Sequence, residues 1–190
     1  VTGVQTCALP ILNSNYKLHE IYSTHPNEFN LDSIVNISSS ELSKLSSLKK
    51  PNKHIAIFHH KDQVLQKQNF YLVFDRINDP GNLGTIIRSC HWFGVDQIIC
   101  SVDSVDCYNS KVVQSSMGSL SKVNVVYTDL IKFIKTTNKK IIGTSLNSKS
   151  ISDYSFKNFD GIIVFGSESN GISKEIKKEI NDYISIPKAA

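Results

Sequence analysis

Two stretches of this sequence combine residue types that could do chemistry. In the first, Asp75-Arg76-Ile77-Asn78-Asp79-Pro80-Gly81-Asn82-Leu83-Gly84-Thr85-Ile86-Ile87-Arg88 follows the apolar run Tyr71-Leu72-Val73-Phe74, which reads as a buried strand. Asp79 suits a helix N-cap and Pro80 the first helical position, where a missing N–H costs nothing. On that helix Arg88 comes four residues after Gly84 and three after Thr85, so it shares their face. Glycine there lets another backbone or a ribose come close. The arginine is presented rather than buried, and a fixed guanidinium can stabilise negative charge that develops in a reaction. The plainer alternative is that Asp75, Asn78 and Asp79 only cap and turn, and that Arg88 makes a surface ion pair.

The second stretch, Phe165-Gly166-Ser167-Glu168-Ser169-Asn170-Gly171-Ile172-Ser173, also joins a strand to a helix, with a carboxylate between two glycines. It is not GxGxxG, and no acidic residue follows at the spacing of a ribose-binding Asp or Glu. No Gly-Lys-Ser/Thr closes it as a Walker loop. A neutral or cationic ligand beside Glu168 suits the turn better than a triphosphate, and a glycine-rich turn with a solvated glutamate is the plain alternative.

These turns need a frame. Helix is expected along Leu83, Ile86, Ile87, Cys90 and Phe93 with Gly94 as its stop, over Ser110 to Leu120, over Asp129 to Asn138, and after a Ser173 cap with Ile172, Ile176 and Ile180 as the apolar stripe. Strands are expected at Val95–Ser101, Val123–Val126, Ile141–Thr144, Ile162–Phe165 and Tyr183–Ile186. Continuous apolar strands alternating with amphipathic helices predict an α/β fold, a mostly parallel sheet with helices on both faces, in which ligands bind at the carboxyl ends of the strands. In front, Leu42, Leu45 and Leu48 recur at spacing three and favour a short helix. A break at Lys50-Pro51 and a strand at Ile55–Phe58 follow, half of a small α/β unit too short to bury a core unaided.

With 190 residues, 40% apolar and 20% charged, the chain has globular composition and room for one sizeable core plus a small appendage. A net charge of +4 and a pI near 8.8 lean only slightly toward polyanions, because many enzymes that never touch nucleic acid look the same. The four cysteines form no CxxC pair, and His59-His60 lacks a second ligand pair at zinc spacing, so no metal site is expected. No apolar run approaches the roughly 20 residues of a membrane helix. A soluble, cytoplasmic protein with reduced thiols is the default. Val1 to Ile11 lacks the basic start of a secretory signal. It resembles translated adapter sequence and is set aside as a foreign leader.

Together these segments resemble the SpoU (TrmH-like) branch of the SPOUT methyltransferases. Asp79 through Arg88 meets the family's Asp-Pro-Gly-Asn-x-Gly-x-x-x-Arg motif, and Ser89 to Val95 continues in family style. Ser110 to Val113 through Ser116 to Ser119 looks like the next family helix, Phe165 to Ile172 matches the second motif, and Ile184 to Pro187 opens the third. The likeness covers about Tyr71 to Pro187, while Ile34 to Phe58 looks more loosely like the end of a front substrate-binding domain. The expected division is a leader at 1–12, a partial RNA substrate-binding domain at 13–62, a linker at 63–70 and a methyltransferase domain at 71–190.

The resemblance implies a trefoil-knotted α/β domain, a homodimer, S-adenosylmethionine as methyl donor and a structured RNA as acceptor, 23S ribosomal RNA ahead of transfer RNA. The reaction it implies is 2′-O-methylation of a ribose. By position, Arg88 matches the catalytic arginine, Asn82 the motif asparagine near the active site and Glu168 the second-motif glutamate. Gly166 and Ile186 match backbone positions that hold the cofactor, with Thr144, Ser145 and Leu146 on the neighbouring loop. Because arginine is effectively always protonated, orientation and charge stabilisation fit Arg88 better than proton abstraction. After Ile186-Pro187 the family continues with a glycine and a Ser-Leu-Asn segment that closes the knot, whereas this sequence reads Lys188-Ala189-Ala190. Weak or absent binding of S-adenosylmethionine by the chain as written is the expectation that follows. The competing expectations are a fragment that retains only RNA binding and a doubly wound nucleotide-binding domain.

Overall fold

Short runs of branched and aromatic residues become strands wherever both faces can be buried. A computed structural model describes residues 2–4, 12, 14–31, 33–46, 48 and 50–187. In chain order the elements are β1 (Thr2–Val4), β2 (Leu18–Ser23), β3 (Ile34–Asn36), α1 (Ser39–Leu45), β4 (His54–Phe58), β5 (Phe70–Phe74), α2 (Pro80–Trp92), β6 (Gln97–Ser101), α3 (Ser110–Ser115), β7 (Asn124–Thr128), α4 (Leu130–Thr136), β8 (Lys140–Ser150), β9 (Gly161–Phe165), α5 (Lys174–Lys177) and β10 (Asp182–Ser185). The chain divides into two compact units: residues 1–62, 80–94 and 106–123 form one, and residues 63–79, 95–105 and 124–190 the other. Among the described residues, no helix is long and apolar enough to cross a membrane.

The first unit contains a four-stranded sheet in the order β1-β4-β2-β3, with β2 and β3 parallel and the other pairs antiparallel. Thr2–Val4, from the segment set aside as a leader, pairs with Ala56 to Phe58. A free strand edge accepts any extended backbone, so this pairing requires little of the sequence. Helix α1 begins with a capping box, in which Ser38 accepts from the Glu41 N–H while Glu41 accepts from the Ser38 N–H. It ends at Leu45, which is 55% exposed, and only Leu42 of the predicted leucine stripe is buried within it.

Helix α2 buries Leu83, Gly84, Ile87 and Cys90 and stops at Gly94, whose φ of 74° is the left-handed turn expected after the last helical residue. Phe93, expected on the buried face, is 79% exposed, and Trp92 beside it is 84% exposed. The helix expected over Ser110 to Leu120 lasts only to Ser115. Met117 and Gly118 have φ of 52° and 85°, and two successive left-handed residues cannot continue a right-handed helix.

The second unit is built on a six-stranded, wholly parallel sheet in the order β10-β8-β9-β5-β6-β7. A doubly wound nucleotide-binding sheet places the strand that follows the crossover next to the first strand. Here β9, not β8, pairs with β5, and β10 lies outside β8. That order removes the nucleotide-binding alternative. Tyr71, Val73, Ile99, Ile141, Ile162 and Val164 from the strands pack with Leu130, Phe133 and Ile134 of α4 and with Ile172 and Ile176 around α5. Asp129 caps α4, accepting from the N–H groups of Ile131 and Lys132, and the helix ends at Thr136 rather than Asn138. The segment read as a polar linker is fastened down: the Gln66 N–H donates to Gln97 Oε1 at 2.8 Å, the Gln97 amide returns a bond to the Gln66 carbonyl, and Asn124 donates to the Val64 carbonyl.

Candidate functional site

The parallel sheet changes direction of winding between β5 and β9, and the segments leaving those two strands are tied together. Asp75, the first residue past β5, is 3% exposed. Its N–H donates to the Phe165 carbonyl at 2.8 Å, and its Oδ2 accepts from the Ser173 N–H at 2.6 Å. The expected Ser173 side-chain cap is absent: Ser173 stands at the N-cap of α5, but its hydroxyl makes no capping bond. Asp75 therefore holds the start of α5 from the side. Arg76 follows with φ of 58°, a conformation costly for an arginine, and its N–H is held by Ser101 Oγ at 2.8 Å. Phe74 and Phe165 stack at 5.2 Å between ring centres across the two strand ends.

The glycine turn after β9 closes on itself. Ser167 and Gly171 exchange backbone hydrogen bonds of 3.2 and 2.8 Å, and Gly171 has φ of 63°. A side chain on Gly166 would lie 2.6 Å from the Gly171 carbonyl oxygen and still closer to the Gly171–Ile172 peptide. Glycine at 166 is thus required by the turn's own backbone.

Strand β8 is longer than the predicted Ile141 to Thr144, and it is interrupted in register. Tyr183 pairs with Gly143, but the next residue, Ile184, pairs with Lys149. The five residues Thr144 to Ser148 loop out between those pairs, and the Ser185 hydroxyl, donating to the Ser148 carbonyl at 2.7 Å, pins the returning end. Thr144 Oγ1 donates to the Val164 carbonyl and anchors the departing end. This excursion, the Phe165 to Ile172 turn, Lys177, Tyr183 and Ile186 surround a cavity of about 830 Å³. Tyr183 is seated by Gly143, whose missing side chain leaves room for the tyrosine and Ile180 rings and methyls.

Six of the predicted residues, Thr144, Ser145, Leu146, Gly166, Glu168 and Ile186, line this one cavity. Arg88 and Asn82 lie on α2, in the other compact unit, Arg88 exposed and Asn82 half-buried. Among the described residues, no carboxylate comes within ion-pair distance of Arg88, where the sequence offers a surface ion pair as the plain alternative. The close approach expected at Gly84 is real, but its occupant is a protein side chain: Ser115 of α3 fills the space, its hydroxyl donating to the Lys111 carbonyl at 2.7 Å. Sequence reasoning missed Lys177 and Tyr183 as lining residues and Asp75 as the tie. A lone aspartate directly after a four-residue apolar strand was the available signal for Asp75. Among the described residues, no group of three or more His, Cys, Asp or Glu is placed to hold a metal ion.

A sequence model of the SpoU rRNA methylase family matches residues 69–190, most of the chain and all of the cavity. The chain belongs to the SpoU rRNA methylase family. Among family relatives, the 23S rRNA (guanosine(2553)-2′-O)-methyltransferase RlmP of Bacillus subtilis is 25% identical over 155 residues, covering 79% of this chain and 62% of that protein. The 23S rRNA (guanosine-2′-O-)-methyltransferase RlmB of Blochmanniella floridana is 36% identical over 121 residues, covering 61% of this chain and 47% of that protein. The chain thus spans less than two thirds of these curated relatives. The SpoU methyltransferase AviRb of Streptomyces viridochromogenes, solved with AdoMet, superposes with a TM-score of 0.83 at 21% identity, over 100% of this chain and 81% of that one. An AdoMet-bound rRNA methyltransferase of Sinorhizobium meliloti gives a TM-score of 0.84 at 21% identity, over 100% of this chain and 79% of that one. These two likenesses establish a shared fold.

Proposed function

We propose that this chain serves the S-adenosylmethionine-dependent 2′-O-methylation of a ribose in structured RNA, with 23S ribosomal RNA ahead of transfer RNA as the acceptor. The observation that carries this is the cavity formed where β8 breaks register beside the closed glycine turn, in a chain of the SpoU family. It lies at the carboxyl ends of parallel strands, where α/β sheets bind ligands. Its volume of about 830 Å³ falls within the roughly 300–1,000 Å³ usual for small-molecule sites. The lining mixes apolar groups (Leu146, Phe165, Ile172, Ile186) with serine and asparagine side chains and one carboxylate, Glu168, which suits a nucleoside bearing a positively charged centre. Thr144, Ser145, Leu146, Gly166 and Ile186 are the residues that would hold the cofactor, which when bound supplies an electrophilic methyl group.

The protein's own part is to prepare the acceptor. A ribose hydroxyl is a weak acid, so its attack needs stabilisation of the developing alkoxide. Arg88, exposed and without an ion-pair partner among the described residues, orients the hydroxyl and lowers the cost of that charge. Asn82 offers an amide donor and acceptor from the first turn of the same helix. Glu168 organises the glycine turn. A homodimer accords with the exposed Trp92-Phe93 pair at the end of α2, an apolar surface of the kind that partners cover. A cytoplasmic setting accords with Cys90, Cys100 and Cys107, all buried and none in a disulfide.

The test is transfer of labelled methyl from S-adenosylmethionine to RNA by the intact gene product, scored as alkali-resistant dinucleotides, the mark of a blocked 2′-hydroxyl. Arg88→Ala is expected to lower the rate about 100-fold or more. A near-normal rate would remove Arg88 from the chemistry, and label confined to the bases would remove ribose as the acceptor.

A further inference from the structure

We propose that Lys177 recognises the carboxylate of the cofactor's amino-acid tail and so sets the direction in which the cofactor lies. This rests on the S-adenosylmethionine reading above and adds a residue that neither the motifs nor the family resemblance points to.

Among the described residues, the charge in the cavity lining lies on one side. From the β8–β10 edge come Thr144 to Ser148, Tyr183 and Ile186, all uncharged, with Leu146 and Ile186 largely exposed although apolar. From the segment after β9 come Glu168 and Lys177, the only charged residues in the lining among the described residues. Lys177 ends α5, whose first turn is fixed by the Lys177 N–H donating to the Ser173 carbonyl at 2.9 Å and whose Ile176 is buried in the core. With Ile176 pinned inward, the next residue is turned about 100° around the helix, which fixes the direction of its stem. Lys135 and Lys140 pair with Glu179 and Asp182, but no described carboxylate lies at ion-pair distance from Lys177. Its ammonium remains available to an anion in the cavity.

S-adenosylmethionine is apolar at its adenine and zwitterionic at its tail. Adenine against Leu146 and Ile186, with the tail toward α5, matches each part to the element that suits it. The tail's carboxylate then meets Lys177, and Glu168 is the counterpart for the ammonium and sulfonium. The opposite orientation would set the carboxylate among uncharged residues and leave Lys177 without an anion.

The experiment compares S-adenosylmethionine with decarboxylated S-adenosylmethionine, which lacks only the carboxylate, by ligand-observed NMR titration of the intact gene product. The unaltered protein should prefer the carboxylated ligand by about fivefold, the effect expected of one solvent-accessible charge pair. Lys177→Met should abolish that preference by weakening S-adenosylmethionine alone, Lys177→Arg should keep it, and Lys178→Met, one residue outside the lining, should change neither ligand. A Lys177→Met protein that retains the preference, or that loses both ligands equally as a purely structural role requires, overturns the proposal. If the unaltered protein binds neither ligand, the cofactor reading itself fails and the assignment of Lys177 with it.

Discussion

Gly84→Ala separates a helix glycine that is merely tolerated from one that packing requires. In an exposed helix the change would stabilise by about 1 kcal/mol, because alanine is the better helix former. Here the new Cβ would lie 2.8 Å from both Ser115 Cβ and the Val112 carbonyl oxygen, and closer still to Ser115 Oγ. Ordinary carbon contacts need about 3.5–4.0 Å, so α2 and α3 must part by close to 1 Å. Overpacking of that kind costs about 1–3 kcal/mol. Disturbing the Ser115 hydroxyl, which donates to the Lys111 carbonyl, adds about 1 kcal/mol, which offsets the propensity gain. The net expectation is a loss of about 1–3 kcal/mol, read as a lower urea midpoint at unchanged slope by far-ultraviolet circular dichroism. Pairing the change with Ser115→Gly should recover about 1 kcal/mol relative to the sum of the single variants, since the two positions share one contact. The Val112 carbonyl keeps the recovery partial. A neutral or stabilised Gly84→Ala protein would refute the close helix contact, and with it the packing that fixes the face on which Arg88 is presented one turn later.

Gly166→Ala forces a side chain into the Gly171–Ile172 peptide, which has no flexible end to yield, so a loss of about 3 kcal/mol or more is expected. Hydrogen exchange should show the Ser167 and Gly171 amides unprotected, and full protection would contradict the closed turn. Asp75→Ala removes the acceptor for the Ser173 N–H and the neighbour of Arg76 Nε, at a cost of about 2–4 kcal/mol in a denaturant titration. Asp75→Asn keeps a carbonyl acceptor and should cost distinctly less, whereas equal losses would mean that the tie is not made through that oxygen. Burial pushes the Cys90 thiol from 9.0 up to about 11. An unfolded chain therefore loses this proton before the folded one, so the contribution is intact below pH 9 and is lost as pH rises toward 11, by up to about 2 kcal/mol. Stability profiles of the unaltered protein and Cys90→Ala should run parallel below pH 8 and converge above pH 9. Parallel profiles throughout would place the thiol in water.

The parts of the fold legible in the sequence were those with a local cause. Tyr71–Phe74 and Ile162–Phe165 are apolar on both faces and could only be inner parallel strands, and Pro80 and Gly94 bracket α2 through their own backbone restrictions. What was not legible depends on partners distant in sequence. The helix expected beyond Ser115 breaks at a left-handed Met117, a conformation that no preference of methionine foretells. Phe93 sits at the helical spacing of a core residue yet is exposed, because spacing identifies a face and not what covers it. The excursion at Thr144–Ser148 exists only because β10 pairs with β8 on both sides of it, a register that no local pattern encodes. Among site residues, Glu168 and Gly166 were carried by a contiguous motif. Lys177 reaches the cavity only through the placement of a four-residue helix.

The most direct measurement is a map of ribose methylation across cellular RNA with the gene deleted and then restored. Deletion should abolish 2′-O-methylation at a defined ribose, the unaltered gene should restore it, and an allele carrying Arg88→Ala, expressed to the same level, should not. An unchanged map on deletion, or full restoration by Arg88→Ala, would contradict ribose methylation through this helix.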